Sequence, residues 1–177
     1  MEINNILIIS GAVIIVIVLW IVISYKNLKH LKLEIGDQWE ILDESLRKRQ
    51  DLIPNLIETI RIHVKDKEVI MEKLVADRRN AALEYEAGSK KIELEHEMVG
   101  GLNMALELGK LNVELSRDTN FLELKTEIGD LGNNIEVKAR RYNEMVRYYN
   151  KSRSLFLMAP IALIFGFKVI NIFEVES

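Results

Sequence analysis

The chain has 177 residues, enough for one compact domain and additional segments. Its formal net charge of −3 comes from interspersed acidic and basic residues. Nucleic-acid binding needs a one-sided basic surface, so we expect no nucleic-acid partner. The absence of cysteine excludes disulfides, thiol nucleophiles and cysteine-ligated metal centres.

The first predicted element is a membrane anchor over residues 1–25. No residue from Ile3 to Tyr25 is charged, and the run ILIISGAVIIVIVLWIVI is almost wholly aliphatic. About 20 apolar residues in a helix cross the hydrocarbon layer of a membrane. A cleaved signal peptide has a shorter apolar region and a basic residue before it, so we expect this anchor to be retained.

Aromatic and basic residues follow the apolar run. Trp20 and Tyr25 are typical of the aromatic belt at a membrane interface, and Lys26 and Lys29 come directly after, whereas only Glu2 is charged on the other side. Basic residues favour the cytoplasmic side. The sequence therefore predicts a single-pass protein of the cell membrane with a short outer N-terminus and a cytoplasmic C-terminal domain.

Residues 26–153 have apolar side chains spaced by threes and fours, which indicates helix. Three stripes are visible, and the last has the spacing of a coiled-coil seam. The first contains Ile35, Trp39, Leu42, Leu46, Ile53, Leu56, Ile60 and Val64, with a less regular continuation through Ile70, Leu74, Ala81 and Tyr85; the second contains Ile92, Val99, Leu102, Leu106 and Val113; the third contains Phe121, Leu124, Ile128, Leu131, Ile135, Tyr142, Met145 and Tyr149.

Short breaks are expected at EAGSKK around Gly88 and at SRDTNF, where Asp118, Thr119 or Asn120 would cap the next helix. We therefore predict an all-α fold, in which the N-terminal transmembrane helix precedes an antiparallel four-helix bundle. An even number of helices returns the chain to the membrane, so we expect the C-terminal tail to lie close to the lipid.

Pro54 leaves two interpretations of the first bundle helix open. If Pro54 only kinks it, one helix runs from about residue 26 to 84 and is far longer than the others. If the chain breaks near Gln50 and Asp51, Asp51 caps a new helix and Pro54 falls in its first turn, where its missing N–H costs nothing. We favour the break, because the four resulting helices are matched in length.

The C-terminal tail, residues 154–177, carries no charge between Leu155 and Phe167. Thirteen residues interrupted by Pro160 are too few for an ordinary membrane span. One interpretation packs the tail over the end of the bundle. The other makes it an apolar surface near the membrane that joins protomers or enters the lipid interface; its candidate residues are Phe156, Met158, Phe165, Phe167 and Phe173.

Catalytic and metal-binding patterns are weak, and we predict no catalytic residue, metal or cofactor. Glu93 and His96 have the Glu-x-x-His spacing of helical di-iron sites, but neither His30 nor His63 has a Glu three residues before it. The glycines Gly100, Gly101, Gly109, Gly129 and Gly132 follow no strand, which argues against a phosphate-binding loop. They mark either close helix approaches or weak helix.

Two polar motifs have both a structural and a binding interpretation. Arg47, Lys48 and Arg49 lie beside Asp51 and Asn55, either as helix-end charges or as a docking surface for a carboxylate or a partner loop. Asp43 is placed to pair with a basic residue at helical spacing. Tyr142-Asn143 recurs as Tyr149-Asn150, and we favour a structural role in fixing helix register over ligand binding.

Several ordered motifs together resemble the LemA family of bacterial membrane proteins. They are WEILDESLRKRQDLIPNLIETI from Trp39 to Ile60, NFLEL from Asn120 to Leu124, the two Tyr-Asn pairs with Val146 between them, and Gly166, Phe167, Phe173 and Glu174 near the end. Arg140-Arg141 and Gly132 depart from the pattern. The resemblance implies a single anchor and a cytoplasmic four-helix domain; it supplies no settled activity, although some relatives are associated with membrane shaping.

We expect a non-enzymatic scaffold that self-associates at the cytoplasmic face of the membrane and organises or shapes it. Its partners would be membrane lipid and further copies of the chain. The alternative is a membrane-tethered adaptor or signalling module, in which a bundle face around Arg47–Asn55 binds a different membrane or cytoplasmic protein.

Overall fold

The computed structural model describes residues 2–64 and 66–174, with the side chains of residues 9–64 and 66–174. Five helices follow in chain order: α1 Glu2–His63, α2 Glu68–Leu83, α3 Ser89–Leu111, α4 Thr119–Ser154 and α5 Ala159–Ile164. A 3-10 turn, Leu115–Arg117, lies between α3 and α4. The described residues contain no strand, so the predicted all-α class is confirmed.

The chain divides into two compact units. The membrane-side unit, named only for the apolar run of α1 that it contains, comprises Met1–Asp37 and Glu144–Ile170; the bundle unit comprises Gln38–Asn143 and Asn171–Ser177. Both α1 and α4 contribute residues to each unit. The domain boundaries predicted at residues 25 and 153 stay predictions.

Polar pairs give the helix directions in the bundle unit. In the contacts of α1 with α2 and with α4, residue numbers increase along α1 while they decrease along the other helix. In the contacts of α1 with α3, residue numbers increase along both helices. The pairs are Arg61–Glu68 and Arg78–Gln50 for α2, Asn120–Thr59 and Lys138–Ser45 for α4, and Asp43–Lys91 and Arg49–Glu95 for α3. Successive helices are therefore antiparallel, as expected for a four-helix bundle.

The periodicity of α1 and α4 was a good guide to the core. In α1 the stripe residues from Leu42 to Ile60 are buried, and in α4 Phe121, Ile128 and Ile135 are buried. Of the stripe predicted for α3, Leu102 is buried, Val99 and Leu106 are half-buried and pack against the core, Ile92 is half-buried, and Val113 is exposed beyond the end of α3. The buried positions of α3 are Lys91, Glu95, Met98, Gly101, Leu102, Ala105 and Gly109.

The predicted break at Asp51 is also wrong. Helix α1 continues through Pro54 to His63, and the chain turns at Asp66 and Lys67 before α2. Proline has no N–H to donate to the carbonyl four residues earlier, which here is that of Gln50. Arg78 Nε donates to that oxygen instead, at 2.6 Å. A side chain from α2 thus satisfies the carbonyl that the proline leaves free.

The ends of α4 are defined by local hydrogen bonds. Asp118 Oδ1 accepts from the backbone N–H of Phe121 at 2.8 Å, which confirms Asp118 as a capping residue among the three candidates. After α4, a short turn leads to α5, and Gly166 then adopts a positive φ of 68°. That φ suits glycine, which has no Cβ to clash with the backbone. Residues 167–174 are extended, without helix or strand.

Candidate interaction sites

A cluster of buried charges lies between α1 and α3 in the bundle unit. Glu95 is 1% exposed, and its Oε2 accepts from Arg49 Nη2 at 3.0 Å, while its Oε1 accepts from Gln50 Nε2 at 2.6 Å. Lys91, also 1% exposed, lies 3.3 Å from Glu95 Oε1 and 3.5 Å from Asp43 Oδ1. Buried charges require such partners, because isolated ions are strongly disfavoured in the interior.

Two atoms of this buried ionic cluster, Asp43 Oδ1 and Arg49 Nε, have no hydrogen-bond partner among the described residues. Lys91 Nζ donates to the carbonyl of Ala81 at 2.8 Å, near the C-terminal end of α2. Burial lowers the pKa of Arg49 from its ordinary value, and the Glu95 carboxylate opposes that shift. The cluster therefore connects three helices through charged groups.

The sequence identified only the α1 side of this cluster. Asp43 and Arg49 were candidate residues. Asp43 was expected to pair with a basic residue at helical spacing, and its Oδ2 lies 2.6 Å from Nη2 of Arg47, four residues later. Lys91 and Glu95 were missed. They continue the buried stripe of α3 from Met98 backward by steps of three and four, which was the available signal.

The rest of the motif around Pro54 faces solvent. Asp51 is exposed and lies 3.6 Å from Arg78 Nη2, so it caps no helix. The Asn55 side chain is exposed, and its carbonyl accepts from the Thr59 hydroxyl at 2.8 Å. A groove of about 600 Å³ lies beside Pro54 between α1 and α2. Its lining comprises Ile53, Pro54, Ile57, Glu58, Arg61, Ile62, Val75 and Arg78.

The first Tyr-Asn pair binds the tail in the bundle unit. Asn143 Nδ2 donates to the carbonyl of Phe173 and its Oδ1 accepts from the N–H of Phe173, both at 2.7 Å. The Tyr142 hydroxyl donates to the carbonyl of Asn171 at 3.2 Å. Burial raises the pKa of Tyr142 to about 12. The Trp39 ring packs on Tyr142 and Phe173, with centroid distances of 5.5 and 5.9 Å.

The second Tyr-Asn pair repeats this arrangement within the membrane-side unit. Asn150 Nδ2 donates to the carbonyl of Ile170 at 2.8 Å, and its Oδ1 accepts from the N–H of Ile170 at 3.2 Å. The Tyr149 hydroxyl donates to the carbonyl of Lys168 at 3.0 Å. Arg153 Nε donates to the carbonyl of Phe167 at 3.1 Å. Both pairs therefore hold extended backbone of the tail.

The tail residues predicted as one apolar surface have different environments. Phe156 is 90% exposed and Phe165 48%, Met158 is half-buried, and Phe167 and Phe173 are buried. Phe167 and Phe173 are therefore packing residues rather than parts of an exposed surface. The aromatic rings of Phe165 and Phe167 pack on Tyr25 in the membrane-side unit, at centroid distances of 4.9 and 5.7 Å.

The proposed interface residues of α1 are accessible. Lys26 and Lys29 are exposed, and Trp20 and Tyr25 are half-buried. By length and composition α1 is able to cross a membrane: its most apolar 18-residue window has a mean hydropathy of 2.3, and 6% of that window is buried. The described residues contain one such helix.

The metal candidates are not assembled. Glu93 is exposed, and His96 Nε2 lies 2.7 Å from the carbonyl of Glu174. Among the described side chains, those of residues 9–64 and 66–174, no three of His, Asp or Glu are grouped to hold a metal ion.

These features define a class: a helical-bundle protein with an N-terminal helix long and apolar enough to cross a membrane. The model described as the LemA family matches residues 38–177. The chain belongs to the LemA family, as the motifs from Trp39 to the tail predict. A comparison with curated proteins gave no match.

Proposed function

We propose that this LemA-family chain is a membrane-anchored, non-enzymatic helical scaffold that self-associates at the cytoplasmic face of the membrane. The observation that carries the proposal is the continuity of α1. One helix, Glu2–His63, contains both an exposed apolar run and five wholly buried core residues of the bundle. The same helix therefore carries both the apolar run suited to lipid and part of the bundle core.

The exposed part of α1 suits lipid rather than water. Its large apolar side chains between Ile9 and Ile23 are each between 44% and 64% exposed, apart from the half-buried Trp20 and Ile21. The uncharged sequence from Ile3 to Tyr25 would extend about 35 Å as helix, enough for a hydrocarbon layer of about 30 Å. Lys26 and Lys29, exposed beyond this run, favour a cytoplasmic bundle.

Anchoring supports self-association by restricting all copies to one plane in one orientation. Weak contacts between neighbouring bundles then act as intramolecular contacts do, at a high effective concentration. The groove beside Pro54 offers a surface for such contacts, because Ile62 and Val75 at its edge are 68% and 47% exposed. Repeated contacts of this kind would position proteins or curve the membrane.

The same groove also favours the second candidate function, an adaptor. Arg61 and Glu58 lie beside the apolar residues of its lining, so a foreign helix or loop with matched charges would fit there as well as a second copy does. The two functions differ in the occupant of the groove and in the size of the resulting complex.

Chemical cross-linking of whole cells, at native expression level, separates the two functions. After gentle extraction in detergent, self-linked species of high mass would support the scaffold. A discrete complex with one dominant foreign protein would overturn it in favour of the adaptor.

The lack of cysteine permits a sharper version of the experiment. In the full-length protein, Ile62→Cys adds a single thiol at the groove, and Glu123→Cys adds one at an exposed position on α4. We expect oxidation to link copies through position 62 and not through position 123. Equal linking at both positions would indicate random collision and contradict the groove as the self-association surface.

A further inference from the structure

We propose that the turn and helix at residues 155–165 form a second membrane contact that lies in the lipid interface. The inference rests on the proposed function, in which α1 is the anchor. We name this element the apolar cap; its exposed side chains are Leu155, Phe156, Leu157, Leu163, Ile164 and Phe165.

The composition and exposure of the apolar cap are the first evidence. Residues 155–167 carry no charge, and Phe156, Leu163 and Ile164 are 90%, 84% and 73% exposed. Such side chains scattered singly on a protein surface are ordinary, but Phe156, Leu163 and Ile164 lie within nine residues of the chain. A group of exposed apolar side chains of this kind indicates a partner that is itself apolar.

The position of the cap within the membrane-side unit is the second evidence. Phe165 and Phe167 pack on Tyr25, which ends the uncharged run of α1. With α1 in the membrane, Tyr25 lies at headgroup level, where aromatic rings are enriched. The cap is then held at the same level, and the exposed Lys26 and Lys168 are placed among the headgroups.

The attachment of the cap is the third evidence, because it shows that the exposed side chains are not simply unpacked. Ile161 and Ala162 of α5 are 2% and 3% exposed, so α5 has a buried face and an apolar outer face. Backbone carbonyls just after α5 are fixed by Arg153 and Tyr149 on α4. The outer face is therefore held outward by the fold.

Lipid fits this surface better than a second copy of the chain does. The apolar side chains of the cap join the exposed apolar run of α1 through the Tyr25 contact, and lipid surrounds that run when α1 is inserted. The uncharged stretch is too short to span the bilayer. Apolar faces of this kind instead lie in the interface plane, buried to about 5–10 Å.

Site-specific fluorescence tests the inference in the full-length protein. Single cysteines at Phe156 and Leu163 would each carry an environment-sensitive fluorophore, in vesicles of phosphatidylcholine and phosphatidylglycerol. Val16→Cys is the control for lipid and Tyr148→Cys, exposed on α4 in the same unit, is the control for water. We expect the probes at 156 and 163 to emit at shorter wavelength than the probe at 148. We also expect lipid-borne quenchers to quench them at a shallower depth in the membrane than the probe at 16.

The outcomes distinguish the inference from the proposed function. Probes at 156 and 163 that behave like the probe at 148, while the probe at 16 lies in lipid, would overturn the cap as a membrane contact and leave the anchor intact. A probe at 16 that is also in water would overturn both. Probes at 156 and 163 shielded from aqueous iodide only at high protein density, and not quenched from the lipid, would assign the cap to a second copy and overturn the inference.

Discussion

The two units use the same helix in opposite ways. In the bundle unit the α1 side chains Leu42, Leu46, Ile53, Leu56 and Ile60 are all 0% exposed. In the membrane-side unit the α1 residues between Ile9 and Ile23 are largely exposed, although they are more apolar. A single helix therefore contains an amphipathic part, whose partner is protein, and a uniformly apolar part, whose composition indicates lipid.

The two units share one way of satisfying buried polar groups and differ in another. In both units a Tyr-Asn pair of α4 bonds to the backbone of the tail, Tyr142 and Asn143 in the bundle unit and Tyr149 and Asn150 in the membrane-side unit. The bundle unit also places charged side chains in its interior and pairs them with each other, as in the Glu95, Arg49 and Lys91 contacts. Variants that remove one kind of interaction at a time therefore test this contrast.

The largest effect is expected from Glu95→Ala, which removes the acidic centre of the buried ionic cluster. Arg49 and Lys91 would remain buried with one carboxylate fewer between them. Removal of one partner of a buried ion pair costs about 3–5 kcal/mol of unfolding free energy. Urea unfolding of the detergent-solubilised protein, followed by circular dichroism, measures the loss. Glu93→Ala, exposed on the same helix, is the control, and equal effects of the two variants would contradict the role of the cluster.

Gly109→Ala is expected to have the next largest effect. A Cβ at Gly109 would overlap the ring of Phe121, which is 1% exposed and has little space to move. Overpacking of this kind costs about 1–3 kcal/mol. At Gly129 a Cβ would meet no atom within 4 Å, so Gly129→Ala should gain up to about 1 kcal/mol from helix propensity. A thermal shift of the same sign for both variants would contradict the close approach of α3 and α4.

Asn143→Ala and Asn150→Ala are expected to loosen the tail in one unit each. Each variant loses two hydrogen bonds to tail backbone, worth about 1–2 kcal/mol together. Hydrogen exchange should rise about tenfold at the Phe173 amide in the first variant and at the Ile170 amide in the second. Each variant is the control for the other. Equal rises at both amides in either variant would show that the tail detaches as one piece.

The smallest effect at neutral pH is expected for Tyr142→Phe, which loses one hydrogen bond worth about 1 kcal/mol. The folded state raises the pKa of Tyr142 from its ordinary value of 10.0 to about 12. Below about pH 10 Tyr142 keeps its proton in both the folded and the unfolded state, so its titration does not change the free energy of unfolding. Above about pH 10 the unfolded state loses the proton first. Stability therefore falls by about 1.4 kcal/mol per pH unit up to about pH 12.

The alkaline unfolding curve checks this sign. Wild type should lose stability through pH 10–12 more steeply than Tyr142→Phe, which has no hydroxyl to titrate there. Parallel curves for the two proteins would show that the Tyr142 hydroxyl is not shielded from solvent in the folded state.

Sequence periodicity predicted the bundle where the buried face is apolar, and failed where it is not. The stripes of α1 and α4 were correct because leucine and isoleucine fill the buried positions. In α3 two buried positions are charged and two are glycine, so a search for apolar spacing found Leu102 and the half-buried Val99 and Leu106 but missed most of the buried positions. Buried charges leave no hydropathy signal, and their partners become visible only with the fold: Arg49 for Glu95, and Asp43 and Glu95 for Lys91.

Pro54 misled the prediction of the first helix for a related reason. Proline is a strong local signal for a helix start, but its missing N–H is compensated by Arg78, a residue 24 positions later. The real end at His63 is followed by VKDKE, which contains neither glycine nor proline. Long-range contacts overrode local preference at both places.

The repeated Tyr-Asn pair was recognisable, although its partner was not. Seven residues of helix rise about 10.5 Å, and three extended residues span about 10 Å. A pair repeated after seven residues on α4 therefore matches backbone positions three apart in the tail, as Ile170 and Phe173 are. Backbone groups carry no sequence signature, so the match becomes visible only with the fold.

The hydrogen bonds from α4 to the tail also have a consequence for biosynthesis. Residues 167–173 leave the ribosome after all five helices, so Tyr142, Asn143, Tyr149 and Asn150 emerge before the backbone groups that they bind. The second half of α4 must therefore remain partly unpaired while translation continues. Completion of both units is thereby delayed until the tail arrives, long after α1 has emerged and become available for insertion into a membrane.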